Sequence, residues 1–390
     1  MKINVLSSLR TCVYLGATLL LNSCNKEQVV ASQEPVLLAV PTVKSPTLPA
    51  TAYFYANLVL PNYFNQPNVL NANNTPTTNP ITDNGATLGR VLFYDKNLSA
   101  NSTISCASCH KQSNSFSDPL PLSIGFAGGK TTRNSMSLLN ARYYPNGHFF
   151  WDERSATAEA QASRPFVNAV EMGMTMPSVV AKLKTLPYYP ALYQKAFGTT
   201  TIDSAKTVRA IAQFVRSMVS YRTKYDVGRS AFPANQNPAT VNFANFTAAE
   251  NRGKVVFFTI GACATCHGTE TFTSPGARNN GLDLVYTDNG VGAVTGNAAQ
   301  NGLFKSPSLR GIEKSAPYMH DGRFATLEQV VEHYNSQVKP HPNLSPELRA
   351  PNGQPRRLNL STTDKAALVA FLKTLTDTGI ETDVKYSNPF

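Results

Sequence analysis

Cys106-Ala107-Ser108-Cys109-His110 recurs downstream as Cys263-Ala264-Thr265-Cys266-His267. Each copy is C-x-x-C-H, the spacing of covalent c-type haem attachment. Two intervening residues let both thiols reach one porphyrin edge from a single helical turn, with the adjacent imidazole beneath the iron as proximal ligand. C-x-x-C alone also suits half of a zinc site or a redox dithiol. Zinc would take all four thiols and leave His110 and His267 without a task. A dithiol gives no reason for a following His in both copies. The pair therefore predicts two covalent haems, one on Cys106, Cys109 and His110, the other on Cys263, Cys266 and His267.

The repeat extends upstream of both motifs. Gly89-Arg90-Val91-Leu92-Phe93-Tyr94 precedes the first, and Gly253-Lys254-Val255-Val256-Phe257-Phe258 precedes the second. The shared order Gly, basic, Val, apolar, Phe, aromatic reads as an internal repeat. Gly89 lies 17 residues before Cys106 but Gly253 only 10 before Cys263, so the first copy is longer, its extra length falling within DKNLSANSTIS, where a distal haem loop would lie. Helices are expected over 86–94, 177–186, 203–220 and 361–375. Asp203 is the N-cap of the third, and Val208, Ile211, Val215, Met218 and Val219 mark its buried face. In the fourth, Leu368, Phe371, Leu372 and Leu375 face inward. Thr247-x-x-Glu250 is a capping box that opens the helix delivering the second motif. Residues 62–85, 224–246 and 336–360 lack either period and read as loop or linker, and the tail 376–390 as polar. The expected fold is mainly α, two cytochrome-c-like domains each with one covalent c-type haem plus long loops. The boundaries fall at 79–240 and 241–390.

A chain of 390 residues accommodates two such domains. Charged residues make up only 15%, and the net charge of +11 is scattered with no basic run, which argues against nucleic acid as a partner. Lys2 and Arg10 start a leader with an apolar core at 11–21, too short to span a bilayer as a mature helix. Leu21-Asn22-Ser23-Cys24 resembles a bacterial lipobox, with a plain signal peptide as the alternative. Residues 1–23 are then a signal peptide of the lipoprotein type and 24–78 a flexible tether and N-terminal loop. Its removal takes Lys2 and Arg10 and lowers the charge by two. Cys12 leaves with it, Cys24 carries lipid, and the remaining four of the six cysteines attach haem, so none is left for a disulfide. A periplasmic, membrane-tethered protein is expected.

LGRVLFYDKNLSANSTISCASCH, Arg133-Asn134, FWDERSATAEAQASRPFVNAVEM and APYMHDGRFATLEQVVEHYN occur in that order. With these motifs the chain from about 80 to 375 resembles the bacterial di-haem cytochrome c peroxidase family, which includes MauG. The resemblance implies roles residue by residue. Trp151 lies between the haems, and Gln161 and Glu171 face the open side of the N-terminal haem, Glu171 moving protons and Gln161 orienting peroxide or its water. Glu153 stands where the family's WDGR has Gly, which touches loop geometry. Many members carry a switch His in the loop before the first motif. Ser102 holds that place and residues 89–109 contain no His, so an N-terminal haem open without prior reduction is expected. His148 lies outside that loop and reads as structural. The C-terminal haem needs a sixth ligand, in ordinary members a Met fourteen residues past the His of PYxHDG. Here that place is Tyr334, and no Met follows residue 320. Tyr334 is preferred over Met319 and His333, on a helix over 326–335 opened by the box Thr326-x-x-Gln329. The resemblance also implies one Ca²⁺ between the domains, on Asn134 and the carbonyls of Ser315 and Pro317.

The activity so implied is peroxidatic. H₂O₂ is reduced to water at the His110 haem, with electrons from a small cytochrome c or cupredoxin entering at the His267 haem. A homodimer is compatible with it. Two other classes remain open: a MauG-like oxidase acting through high-valent iron on a protein or organic substrate, and a di-haem electron carrier in which Glu171 is incidental.

Overall fold

The Asp83–Tyr94 helix crosses the Ser204–Ser217 helix, and the Ala248–Phe258 helix crosses the Thr362–Lys373 helix, in one repeated construction. In both crossings the repeat glycine is the contact point. A Cβ on Gly89 would stand 2.0 Å from the Ala210 carbonyl oxygen and 2.8 Å from Phe214 Cβ; one on Gly253 would stand 1.8 Å from Ala367 O and 2.8 Å from Phe371 Cβ. Only a residue without Cβ lets the backbones approach so closely. Each crossing precedes or embraces one C-x-x-C-H motif. The architecture is that of two cytochrome-c-like domains, mainly α with long loops. The computed structural model describes residues 44–390; the leader, the Cys24 lipobox and the first part of the tether lie outside the described residues. Among the described residues no helix is long and apolar enough to cross a membrane.

Local signals account for most element starts. Asp203 accepts a hydrogen bond from Lys206 N at 2.8 Å, Thr247 and Glu250 exchange bonds at 2.6 and 3.2 Å, and Thr326 and Gln329 at 3.2 and 3.3 Å. Each satisfies N–H groups that a helix start leaves orphaned.

Three expectations need correction. The 203–220 helix ends at Ser217 and is not buried on one stripe, since Gln213, Arg216 and Ser217 are as enclosed as Ile211. Gln213 and Arg216 spend their polarity on Asn79, and on Asn74 and Glu159, so burial costs them no bonds. The 224–246 linker contains a helix, Lys224–Ser230, started by a Thr223/Asp226 capping box, and its Tyr225 joins Phe243, Phe257, Phe272 and Phe371 in an aromatic core. The polar tail returns to the first half: Tyr386 is buried, donates to Ser217 O at 2.6 Å, and packs against Phe116. Short-range periodicity cannot register contacts made across some 170 residues.

Candidate haem sites

The first motif forms a single α-turn, Cys106–Cys109, with Ser105 N donating to Ser108 Oγ at 3.0 Å. The second is a tighter 3₁₀ turn, Cys263–Thr265. The histidines are oriented identically. His110 Nδ1 lies 2.9 Å from Phe116 O, and His267 Nδ1 lies 3.1 Å from Phe272 O. Phe116 and Phe272 both sit in the left-handed region, at φ 57° and 54°, which turns their carbonyls back toward the ring. A carbonyl can only accept, so Nδ1 carries the proton and Nε2 is left with a free lone pair that could ligate iron. Burial holds both imidazoles below their ordinary pKa, His267 at about 4, and they are therefore neutral as ligation requires.

The four thiols are unpaired. Burial pushes Cys106 and Cys263 up to about 12 and Cys109 to about 11, opposite to the depression that makes a dithiol reactive. Among the described residues no group of three or more His, Cys, Asp or Glu gathers as a metal cluster. Around the second motif the lining fits a porphyrin. Cys263, Cys266 and His267 line a cleft with a mostly apolar wall that includes Phe257, Leu309 and Leu372. Arg278 and Arg356 line the same cleft and suit propionates; Arg278 Nε is buried without a hydrogen bond, although Glu347 Oε1 lies 3.3 Å away.

Tyr334 and Met319 both line this cleft, whereas His333 is buried with Nε2 3.0 Å from Asn280 O. The expected helix over 326–335 is interrupted. It runs as α over Leu327–Glu332 and continues as a π-helical turn over His333–Gln337. The wider turn takes one extra residue and so re-aims the side chains in it. Asn335 stabilises the widened turn, accepting from Leu358 N at 3.1 Å and, through Oδ1, from Leu360 N at 2.8 Å. Burial raises the Tyr334 phenol above its ordinary range.

On the side of the first motif, Glu171 projects from a loop fixed through its backbone. Glu171 N donates to Asn168 Oδ1 at 3.1 Å, and Glu171 O accepts from Phe126 N at 3.0 Å. The loop holding Ser102 is tied to the same place: Ala100 N donates to Met172 O at 2.8 Å, and Asn101 Nδ2 to Phe126 O at 2.7 Å. The Glu171 carboxylate is felt electrostatically by both Cys106 and Cys109. Burial raises its pKa and the Arg154 guanidinium opposes the rise. Arg154 was not anticipated; it bonds Asp152 at 2.8 and 2.9 Å and lies 3.4 Å over the Phe150 ring. Gln161, on the Ala158–Val167 helix, has a buried Oε1 with no partner. A polar atom left so is costly unless a guest supplies a donor.

Trp151 is elsewhere. Its side chain lines the second cleft and its Nε1 donates to Asn134 O at 2.8 Å. Asn134, Ser315 and Pro317 line that cleft too, and Asn134 Nδ2 donates to Leu120 O at 3.1 Å and Pro121 O at 3.3 Å. Glu153, in place of the family Gly, sits at φ 57° and accepts from Asn146 Nδ2 at 2.8 Å, so the position keeps the glycine conformation without the glycine. His148 lends its carbonyl to buried Lys305 at 2.6 Å.

Comparison with known proteins agrees with this chemistry. Residues 83–230 match the family model for di-haem cytochrome c peroxidase. The chain is 35% identical over 303 residues to the methylamine utilization protein MauG of Methylorubrum extorquens, covering 77% of this chain and 80% of that one. It is 32% identical over 251 residues to the cytochrome c551 peroxidase of Nitrosomonas europaea, covering 63% and 71%. Among solved structures, a MauG-like protein associated with microbial copper homeostasis superposes with a TM-score of 0.74 at 30% identity, over 85% of this chain and 99% of that chain. The chain belongs to the di-haem cytochrome c peroxidase family, whose members carry two haems and act as oxidoreductases.

Proposed function

We propose that this protein reduces H₂O₂ to water at the haem of residues 79–240, using electrons that enter at the haem of residues 241–390. The observation that carries the reading is Glu171, a half-buried carboxylate whose pKa is raised by desolvation and whose charge is felt by the Cys106 and Cys109 thiols. Haem on Cys106, Cys109 and His110 would supply the iron that binds peroxide and passes electrons to it. The chain's own residues do the rest. Glu171 takes the proton from the inner oxygen of peroxide and returns one to the leaving oxygen, and Gln161 orients the peroxide through its unpartnered Oε1 or its amide. Two electrons, two protons and one H₂O₂ give two waters. Tyr334 would be a further ligand of the second haem, supported by its place in the same cleft as Cys263 and His267. Trp151 stands on the route between the haems.

The finer assignments follow the family. Asn134 with the Ser315 and Pro317 carbonyls would hold Ca²⁺, oxygen-only ligation suiting a hard cation. A small cytochrome c or cupredoxin is the donor, and the mature chain is periplasmic and lipid-anchored through Cys24. The second reading, a MauG-like oxidase of a protein substrate, is favoured by Tyr334 and by Ser102 in place of a His. The likeness to a solved structure described as MauG-like adds weight to it.

The test is the absorption spectrum of the oxidised, haem-loaded protein before and after one equivalent of H₂O₂, followed by product analysis. A high-spin component that shifts on mixing, with water as the product, supports the peroxidase. Modified protein substrate selects the oxidase, and an all-low-spin spectrum inert to peroxide returns the chain to electron carriage.

A further inference from the structure

Asn280 touches the π-helical turn through both its backbone and its side chain. It follows the two-residue antiparallel ladder that pairs Ala277 with Lys305 and Arg278 with Phe304. Its carbonyl lies 3.0 Å from His333 Nε2, which fixes the turn to the ladder. Its side-chain Nδ2 lies 3.4 Å from Tyr334 Oη and 3.4 Å from Met319 Sδ. One amide donor thus reaches both Tyr334 Oη and Met319 Sδ, the two candidate ligand atoms in the cleft.

Resting on the reading of Tyr334 as axial ligand, we infer that Asn280 is a positioning residue that sets the reduction potential of the second haem by donating to the Tyr334 oxygen. A hydrogen bond to an anionic oxygen is charge-assisted, whereas a thioether accepts only weakly, so the amide favours the oxygen over the Met319 sulfur. The donor draws electron density from the oxygen, which lessens its preference for ferric iron and makes the haem easier to reduce. Without it, the phenolate binds ferric iron more strongly and electron entry becomes harder.

Asn280→Ala and the near-isosteric, neutral Asn280→Leu both remove the donor while retaining the backbone carbonyl that holds His333. Tyr334→Phe is the control for ligation. In spectroelectrochemical titrations of the haem-loaded full chain, each Asn280 variant should lower the reduction equilibrium of the second haem about tenfold, about 59 mV for one electron. The first haem should not move, and the phenolate absorption of the second should shift. The same displacement should persist in a Met319→Leu background. If both Asn280 variants keep the wild-type potential and spectrum, or raise the potential, while Tyr334→Phe changes both, Asn280 is a packing residue and the inference fails. If Tyr334→Phe leaves the second haem's spectrum unchanged, the ligand reading itself falls and takes the inference with it.

Discussion

Replacing Glu171 with Gln preserves shape and removes only the ability to take and return a proton. The carboxylate is half-buried and feels Arg154 electrostatically, and no hydrogen bond contributes to its pKa, so the substitution has little to break in the fold. The folding sign can be worked out. Burial holds the folded pKa above the ordinary 4.5, so the ionised form is disfavoured in the native state, and that penalty grows as pH rises from the unfolded value through the folded one. A neutral Gln removes it. Thermal stability of the variant at pH 7 should therefore equal or exceed wild type. The rate should fall. General acid–base catalysis contributes 10²–10⁴-fold, and Gln161 is no base while His110 Nδ1 is occupied by Phe116 O. A loss of about 10³-fold, about 4 kcal/mol, is expected in the reaction of the first haem with peroxide. Stopped-flow mixing of oxidised, haem-loaded protein with one equivalent of H₂O₂ measures it. The wild-type rate should climb with pH through the raised Glu171 pKa and level above it, and the Gln variant should be flat over that window. A folded variant reacting within twofold of wild type, with the same pH profile, would refute the assignment.

Other outcomes follow from the same geometry. Gly253→Ala places a methyl 1.8 Å from Ala367 O; overpacking of about 3 kcal/mol against a helix-propensity gain of about 1 leaves a loss of about 2 kcal/mol, read as a lower thermal midpoint, with Gly89→Ala behaving alike. Ser102→His puts a ligand in the exposed loop tied to Met172, at φ 61°, a conformation in which His is comparatively frequent. The oxidised spectrum should gain a low-spin component, and the reaction with peroxide should then require prior reduction. Glu153→Gly relieves a left-handed residue at the cost of the Asn146 bond, and chemical denaturation should show a net change within about 1 kcal/mol of zero, in the stabilising direction.

What the sequence made legible was whatever is encoded within a few residues. The C-x-x-C-H pairs, the capping boxes at Thr247 and Thr326, and the Asp203 cap are local patterns with local causes. The repeat glycines were visible as a pattern, although their purpose, two backbone crossings, appeared only with Ala210 and Ala367 in place. Hidden were contacts that join distant positions: Asn280 with Tyr334, Arg154 near Glu171, and Tyr386 on Ser217. The burial of Gln213 and Arg216 was unreadable for a related reason, since a polar residue in a core is recognisable only by its partners. The short helix at Lys224 was missed although its Thr223-x-x-Asp226 start is local, because Asp rather than Glu or Gln closes the box.

The widened turn at His333–Gln337 also bears on how such an axial position can arise or vanish. A π-turn differs from an α-helix by one inserted residue, which rotates whatever follows by about 100° around the helix axis. The identity of the side chain presented to the second cleft is then a question of helical phase as much as of which amino acid occupies position 334. Removing one residue from this turn would swing a neighbour into the cleft without altering any ligand-type residue. Relatives could thus exchange one axial group for another by a single-codon insertion or deletion, a change that column-by-column comparison of residues would misread as a substitution.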